Sequence, residues 1–233
     1  SLNIPSSVRM IGNRAFEQVD VVSGTLTTLT FANNASLTSI GDDSFAYNAL
    51  TSLSLPASLE SIGARAFAAL RAGVKTIAIG RNVRAIGNNF AYGEELATIT
   101  VDYSNSYFTS DNGVLYNKNM TTLVKCPDDY YITNETLNVP STVTTLQAGA
   151  FDGWLNFGSS LRGLTVNLPS KLANMNIDNN FIFYAISAIN INGNNQFESV
   201  SGVLFNKNKT TAYRLPLAYT SSSYTIPSTV TTV

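Results

Sequence analysis

The chain has 233 residues, 44% of them hydrophobic, with a mean hydropathy of +0.07, which is enough apolar material for a stable core and too much for a disordered polymer. Charged residues make up only 12% and the formal net charge is −1, so no basic field exists to draw nucleic acid or an anionic membrane. Histidine is absent and cysteine occurs once, as Cys126, which excludes Ser-His-Asp and Cys-His catalysis, histidine metal sites, an internal disulfide and a cysteine zinc cage.

In chain order, two apolar residues flanking a small one recur as Leu2/Ile4, Leu29/Phe31, Leu53/Leu55, Ile77/Ile79, Ile99/Val101, Leu137/Val139, Leu164/Val166, Ile189/Ile191 and Tyr224/Ile226. The intervals are 27, 24, 24, 22, 38, 27, 25 and 35 residues, and most fall in the range of a stacked repeat of one short strand per coil. Alternation turns the apolar pair inward and leaves Asn3, Thr30, Ser54, Ala78, Thr100, Asn138, Thr165, Asn190 and Thr225 outward. All are small. Parallel strands stacked about 4.8 Å apart would align them in one row, where bulky side chains would crowd.

After several of these strands comes IPSSV, LPASL, VPSTV, LPSKL or IPSTV, where proline ends strand pairing and turns the chain. A second short strand then leads into the phrase SIGARAFAAL at Ser61 to Leu70, with relatives MIGNRAF, SIGDDSF, AIGNNFAY and LQAGAF. Here Ile62 points inward, and Gly63 permits a positive φ or a close backbone approach. Ala66 and Phe67 start one or two helical turns on the opposite wall, so that Phe16, Phe45, Phe67, Phe90, Phe151 and Phe181 form an aromatic spine. The pattern frays later: Gln147 and Asn176 replace the glycine, and AIGNNFAY is one residue shorter before its Phe.

The two long intervals hold related segments, NGVLYNKNMTTLVKCP at Asn112 to Pro127 and SGVLFNKNKTTAYRLP at Ser201 to Pro216, separated by 89 residues as in a duplicated block. Each reads as two strands around an Asn-Lys-Asn turn, a β-hairpin inserted near 105–135 and again near 194–222. Tyr107, Tyr116, Tyr130 and Tyr131 surround the first and Tyr213 and Tyr219 the second, either as partner contacts or as caps on the insertion's own small core. Trp154, in FDGWLNF, stacks on a sugar or partner in one reading and joins Phe151 and Phe157 in the core in the other.

Adjacent carboxylates at Asp42/Asp43, Glu94/Glu95 and Asp128/Asp129 read as polar turns in preference to a hydrolytic dyad, because neighbours on a strand face opposite ways. No catalytic residue, metal site or cofactor is expected. No apolar run is long enough to span a bilayer as a helix in this segment. Four Asn-x-Ser/Thr triplets, at Asn34, Asn119, Asn134 and Asn208, carry meaning only on a eukaryotic secretory route. The closing IPSTVTTV repeats VPSTVTTL of Val139 to Leu146 without the QAGAFDGW that follows there, so the segment is expected to be a piece of a longer protein.

Taken together, Ile-Gly-x-x-Ala-Phe, the preceding Pro-Ser-Ser/Thr-Val run and Gly-Val-Leu-Tyr-Asn-Lys resemble the BspA-type leucine-rich repeat, over nearly all of Ser1 to Val233. The resemblance implies an α/β repeat: a right-handed solenoid of about eight or nine coils in a single domain, with a parallel sheet on one face and short helical turns on the other. It also implies a cell-surface or secreted protein that binds host extracellular-matrix or plasma proteins without catalysis. The alternative is a structural stalk or spacer presenting another domain, which the small outward row of the sheet favours.

Overall fold

The computed structural model describes residues 1–18, 26–70, 73–93, 95–130, 135–152, 163–175, 186–216 and 223–233. The chain winds as a β-solenoid of about seven turns, and every described element is a strand. In the first column Leu2–Ile4 pairs in parallel with Leu29–Phe31, Thr76–Ile79 with Thr98–Val101, and Leu164–Leu168 with both Thr136–Asn138 and Ile186–Ile191. Leu53/Leu55 and Tyr224/Ile226 stay outside these ladders, which brings the turn count below the expected eight or nine. Leu53 and Leu55 still pack on the core through their side chains.

The inward residues Ile4, Leu29, Ile77, Ile79, Ile99 and Val166 are buried, as alternation requires. The outward row differs from expectation in one place. Asn138 lies opposite Asn167, not Thr165, and Asn167 lies opposite Asn190. Leu164, Val166 and Leu168 all face inward, so either of two registers would bury an apolar pair. The amides select one: Asn167 Nδ2 donates to Asn138 Oδ1 at 2.7 Å and Asn190 Nδ2 to Asn167 Oδ1 at 2.9 Å. A shorter version joins Thr30 Oγ1 to Asn3 Oδ1 at 3.0 Å.

The second column stacks Met10–Ile11, Ser39–Ile40, Ser61–Ile62 and Ala85–Ile86 in parallel. The glycines that follow Ile40, Ile62 and Ile86 are there for close approach. A Cβ on Gly63 would lie 2.5 Å from the Gly41 carbonyl carbon, and one on Gly87 would lie 2.7 Å from that of Gly63. The left-handed residue comes two positions later, at Arg14, Asp43, Arg65 and Asn89, with φ between 48° and 60°. In the later coil that position is Gly149, φ 75°, so the glycine has moved to the strained site while Gln147 takes the uncrowded one.

No helical turn forms on the opposite wall among the described elements, and the hydrogen bonds explain why. The amides that would close a helix donate instead to the next coil: Phe16 N to Ser44 O at 2.8 Å, Phe45 N to Ala66 O at 2.9 Å and Phe67 N to Phe90 O at 2.8 Å. Turns and the parallel pair Phe67–Leu70 with Ala91–Gly93 make up this wall. Phe16 stacks on Phe45 at 5.2 Å and Phe45 on Phe67 at 5.6 Å between ring centroids. The residue missing from AIGNNFAY leaves Phe67 opposite Ala91 in the ladder, although Phe90 remains fully buried. Phe181 lies outside the described residues.

The two long intervals do not leave the solenoid as inserted hairpins. Phe108–Asp111, Val114–Asn117 and Thr122–Lys125 form an antiparallel meander, and its last strand then pairs in parallel with Thr145–Leu146. The meander is thus a coil whose second-column strand is reached by a detour. It forms a wall across the core, with Phe108, Leu115 and Val124 packed in the first hydrophobic cluster and Val114, Tyr116 and Leu123 in the second. The copy 89 residues on repeats this with Phe197–Val200, Val203–Asn206 and Ala212–Arg214, and Leu204 closes the far side of the second cluster.

This packing makes two predictions that a urea titration checks. Gly63→Ala lowers stability by about 1–3 kcal/mol through overpacking, whereas Gly12→Ala, with nothing within 4 Å of the added carbon, leaves it nearly unchanged. Phe67→Ala, at a fully buried ring, costs about 3–5 kcal/mol.

Candidate functional site

The most structured surface loop follows the strand Thr98–Val101. Asp102 opens it by accepting from Ser104 N at 2.9 Å and Ser104 Oγ at 2.6 Å, and these bonds hold its carboxyl below the usual range. Asn105, 1% exposed, then pegs the loop to the neighbouring coil. Its Nδ2 donates to Gly80 O at 2.8 Å and Val83 O at 2.9 Å, while its Oδ1 accepts from Tyr107 N at 2.7 Å and Phe108 N at 2.8 Å. A buried amide with every bond made fixes a loop in one conformation.

The peg sets Tyr107, 52% exposed, beside the turn that carries Arg81, Asn82 and Arg84, and Tyr103, 95% exposed, lies on the same loop. Between loop and turn lies an open cleft of about 490 Å³ lined by Glu60, Arg81, Arg84, Ser106 and Tyr107 among others. Arg84 pairs with Glu60 at 2.6 Å, and both ends of this ion pair remain in contact with solvent. Exposed tyrosine and arginine on a rigid loop offer large contact area with little entropy to lose on binding.

Of the tyrosines singled out in the sequence, Tyr107 belongs to this ledge. Tyr116 and Tyr130 do not reach the surface: they are 1% and 5% exposed and pack in the second hydrophobic cluster. The meander lies across the core instead of projecting from it, so the side chains of its middle strand are covered on both faces. Tyr131 and Trp154 lie outside the described residues. Tyr103, Arg81 and Arg84 went unread in the sequence. Their only signal was the shared spacing of Asn105 before Phe108 and Asn194 before Phe197.

None of the carboxylate neighbours described forms a dyad. Asp42 Oδ1 accepts from Ala64 N at 2.7 Å while Asp43 pairs with Arg65 at 2.6 Å, and Glu94 lies outside the described residues. Asp128 departs furthest from ordinary chemistry. Its Oδ1 lies 3.2 Å from Lys125 Nζ and its Oδ2 accepts from Gly93 N at 2.5 Å, with side-chain exposures of 0% for Lys125 and 8% for Asp128. Lys125 Nζ also donates to the Asp152 carbonyl. Burial lifts the Asp128 carboxyl to about 6, against the pull of Lys125 and the Gly93 amide. The adjacent Cys126 thiol is pushed up to about 12 by the same burial, which leaves it inert. The cluster ties together segments 93, 125–128 and 152.

Comparison with known proteins follows from this geometry. The sequence model described as BspA type leucine rich repeat region matches in six copies, over residues 1–122 and 128–232. The chain belongs to the BspA-type leucine-rich repeat family. This BspA-type chain is similar in fold to a leucine-rich repeat protein from Eubacterium ventriosum, with TM-score 0.62 and 22% identity over 99% of its own length. It is similar also to the pneumococcal vaccine antigen PcpA, with TM-score 0.60 and 22% identity over 82% of its length. It spans 59% and 51% of the lengths of those two chains. No curated protein sequence matches it significantly.

The buried pair yields a prediction with a definite sign. A folded pKa of about 6, above the ordinary 3.8, means that the stability Asp128 contributes is complete below about pH 4 and declines as pH rises through 6. Urea titrations between pH 4 and 7 detect this decline in the native protein, and it disappears in Asp128→Asn. Lys125→Met leaves the carboxylate uncompensated, costing about 3–5 kcal/mol at pH 7 and less at pH 5.

Proposed function

We propose that this BspA-type chain is an extracellular recognition module of a cell-surface protein that adheres to host extracellular-matrix or plasma proteins and performs no catalysis. The observation that carries the reading is the pegged ledge, where Tyr107 stands exposed next to Arg81 and Arg84, and Tyr103 stands exposed on the same loop, on backbone held by a buried asparagine. Membership of a repeat family built for extended surfaces supports it. So does the absence of histidine.

The sheet face favours a second role, that of a spacer. Its outward amides at Asn138, Asn167 and Asn190 bond to one another, which leaves little on that face for a partner. Recognition through the ledge and spacing through the stack are compatible in one solenoid.

The test is binding of the purified chain to an array of matrix and plasma proteins, repeated with Tyr103→Ser/Tyr107→Ser. A saturable signal that falls at least tenfold in the double variant is expected. Retention of full binding in that variant sinks the ledge as the contact, and silence across the array leaves the spacer as the chain's role.

A further inference from the structure

The pegged loop is built twice, with one residue fewer between strand and asparagine in the second copy, Ile191 to Asn194 against Val101 to Asn105. In the second, Asn194, 2% exposed, donates to Ser170 O at 2.8 Å and Leu172 O at 2.7 Å and accepts from Gln196 N at 2.7 Å and Phe197 N at 2.8 Å. The backbone bond from Ala173 N to Thr144 O matches that from Arg84 N to Glu60 O. The second copy therefore has Ser170, Ala173 and Gln196 where the first has Arg81, Arg84 and Tyr107, and Thr144 where the first has Glu60, while its shorter loop has no counterpart of Tyr103. The turn and the peg do not need the arginines, the glutamate or Tyr107 to fold. Their presence on the first ledge requires another account.

The chemistry of the first cleft narrows its ligand. Arg81 and Arg84 are balanced by Glu60 and Asp102, so the site carries no net charge with which to attract phosphate, sulfate or a polyanion. No aliphatic side chain lines it, so it lacks the apolar centre of a protein hot spot or a lipid pocket. What it offers is planar donors and acceptors side by side, namely two guanidinium groups, the Glu60 carboxylate and the Asn82 amide, whose Nδ2 is held at 2.7 Å on Ala57 O. Beside them stand the Ser106 hydroxyl and the exposed ring of Tyr107. Planar bidentate groups match vicinal hydroxyls, and an aromatic face matches a patch of C–H groups.

A molecule with many hydroxyls, one apolar face and no charge is a hexose. We infer that the cleft of Arg81, Arg84 and Tyr107 is a binding site for a neutral sugar, so that the partner is recognised through its glycan. This rests on the recognition role proposed for the ledge. The cleft volume of about 490 Å³ suits one or two sugar rings.

The experiment uses the whole chain against an array of glucose-, galactose-, mannose- and N-acetylglucosamine-terminated oligosaccharides, with sialylated and sulfated ones alongside, followed by calorimetry on the neutral hits. Variants carry the second copy's residues, Arg84→Ala, Tyr107→Gln and the double variant Arg84→Ala/Tyr107→Gln, and thermal melts check their folding. Tyr107→Phe keeps the ring. Expected are saturable binding of a neutral oligosaccharide at one site per chain, at least a tenfold loss in Arg84→Ala and in the double variant, and retention in Tyr107→Phe.

Binding confined to sialylated or sulfated glycans overturns the inference, as does neutral binding unaffected by these substitutions, or none at all. Matrix proteins stripped of glycans by glycosidase separate the two levels. If they bind undiminished and still depend on Arg84 and Tyr107, the sugar inference fails while the recognition role stands.

Discussion

Backbone amides in this protein are satisfied by the neighbouring coil, and this requirement governs the rest of the structure. Phe16, Phe45 and Phe67 each send their N–H to the next turn, whereas the glycines after Ile40 and Ile62 send theirs to the preceding one, Gly41 N reaching Ile11 O and Gly63 N reaching Ile40 O. Coils held at strand spacing leave no room for a side chain between backbones, so glycine occupies the corner and small residues the outer row. The same bonding removes the donors a helix would use, and the back wall settles into turns. Because each coil completes its neighbour, no single coil is stable alone and cooperativity spreads along the stack.

The antiparallel meanders act within that frame as partitions. A parallel coil buries one face of each strand, whereas Val114–Asn117 buries residues on both, toward one cluster and the other. The chain so acquires two cores joined through a shared wall. Asparagines do most of the fixing where regular ladders stop. Asn117 and Asn206 close the turns by accepting from two successive amides, and Asn105 and Asn194 join a loop to the preceding coil. An amide carries both donor and acceptor, so it bridges carbonyls and N–H groups at once, which a charged side chain cannot do. This accounts for a chain with only 12% charged residues and many asparagines.

Function and fold separate cleanly on such a scaffold. The perturbed groups Asp128 and Cys126 sit with Lys125 in the interior and serve cohesion, although strong pKa shifts often mark a reactive centre. The surface chemistry lies elsewhere, on a loop whose backbone is indifferent to what it displays. Duplication at 89 residues supplies two related loops, one with tyrosines beside a turn that carries arginine and one with small polar residues, over similarly packed cores.

Periodicity in the sequence determined the solenoid, the inward residues and the corner phrase, because burial and steric stacking leave a mark at every repeat. It also fixed the family. The register at Asn138 was beyond it, since Leu164, Val166 and Leu168 fit two alignments and only an amide contact between coils chose. Helical turns were read into AlaPhe phrases whose amides in fact bond across coils, a partnership invisible along the chain. Tyr116 and Tyr130 stayed open between partner contact and core because a strand pattern does not state whether its second face meets solvent or another core. The ledge was hidden for the same reason: Arg81 and Tyr107 are 26 positions apart in the chain, and only Asn105, by bonding to Gly80 and Val83, sets them side by side.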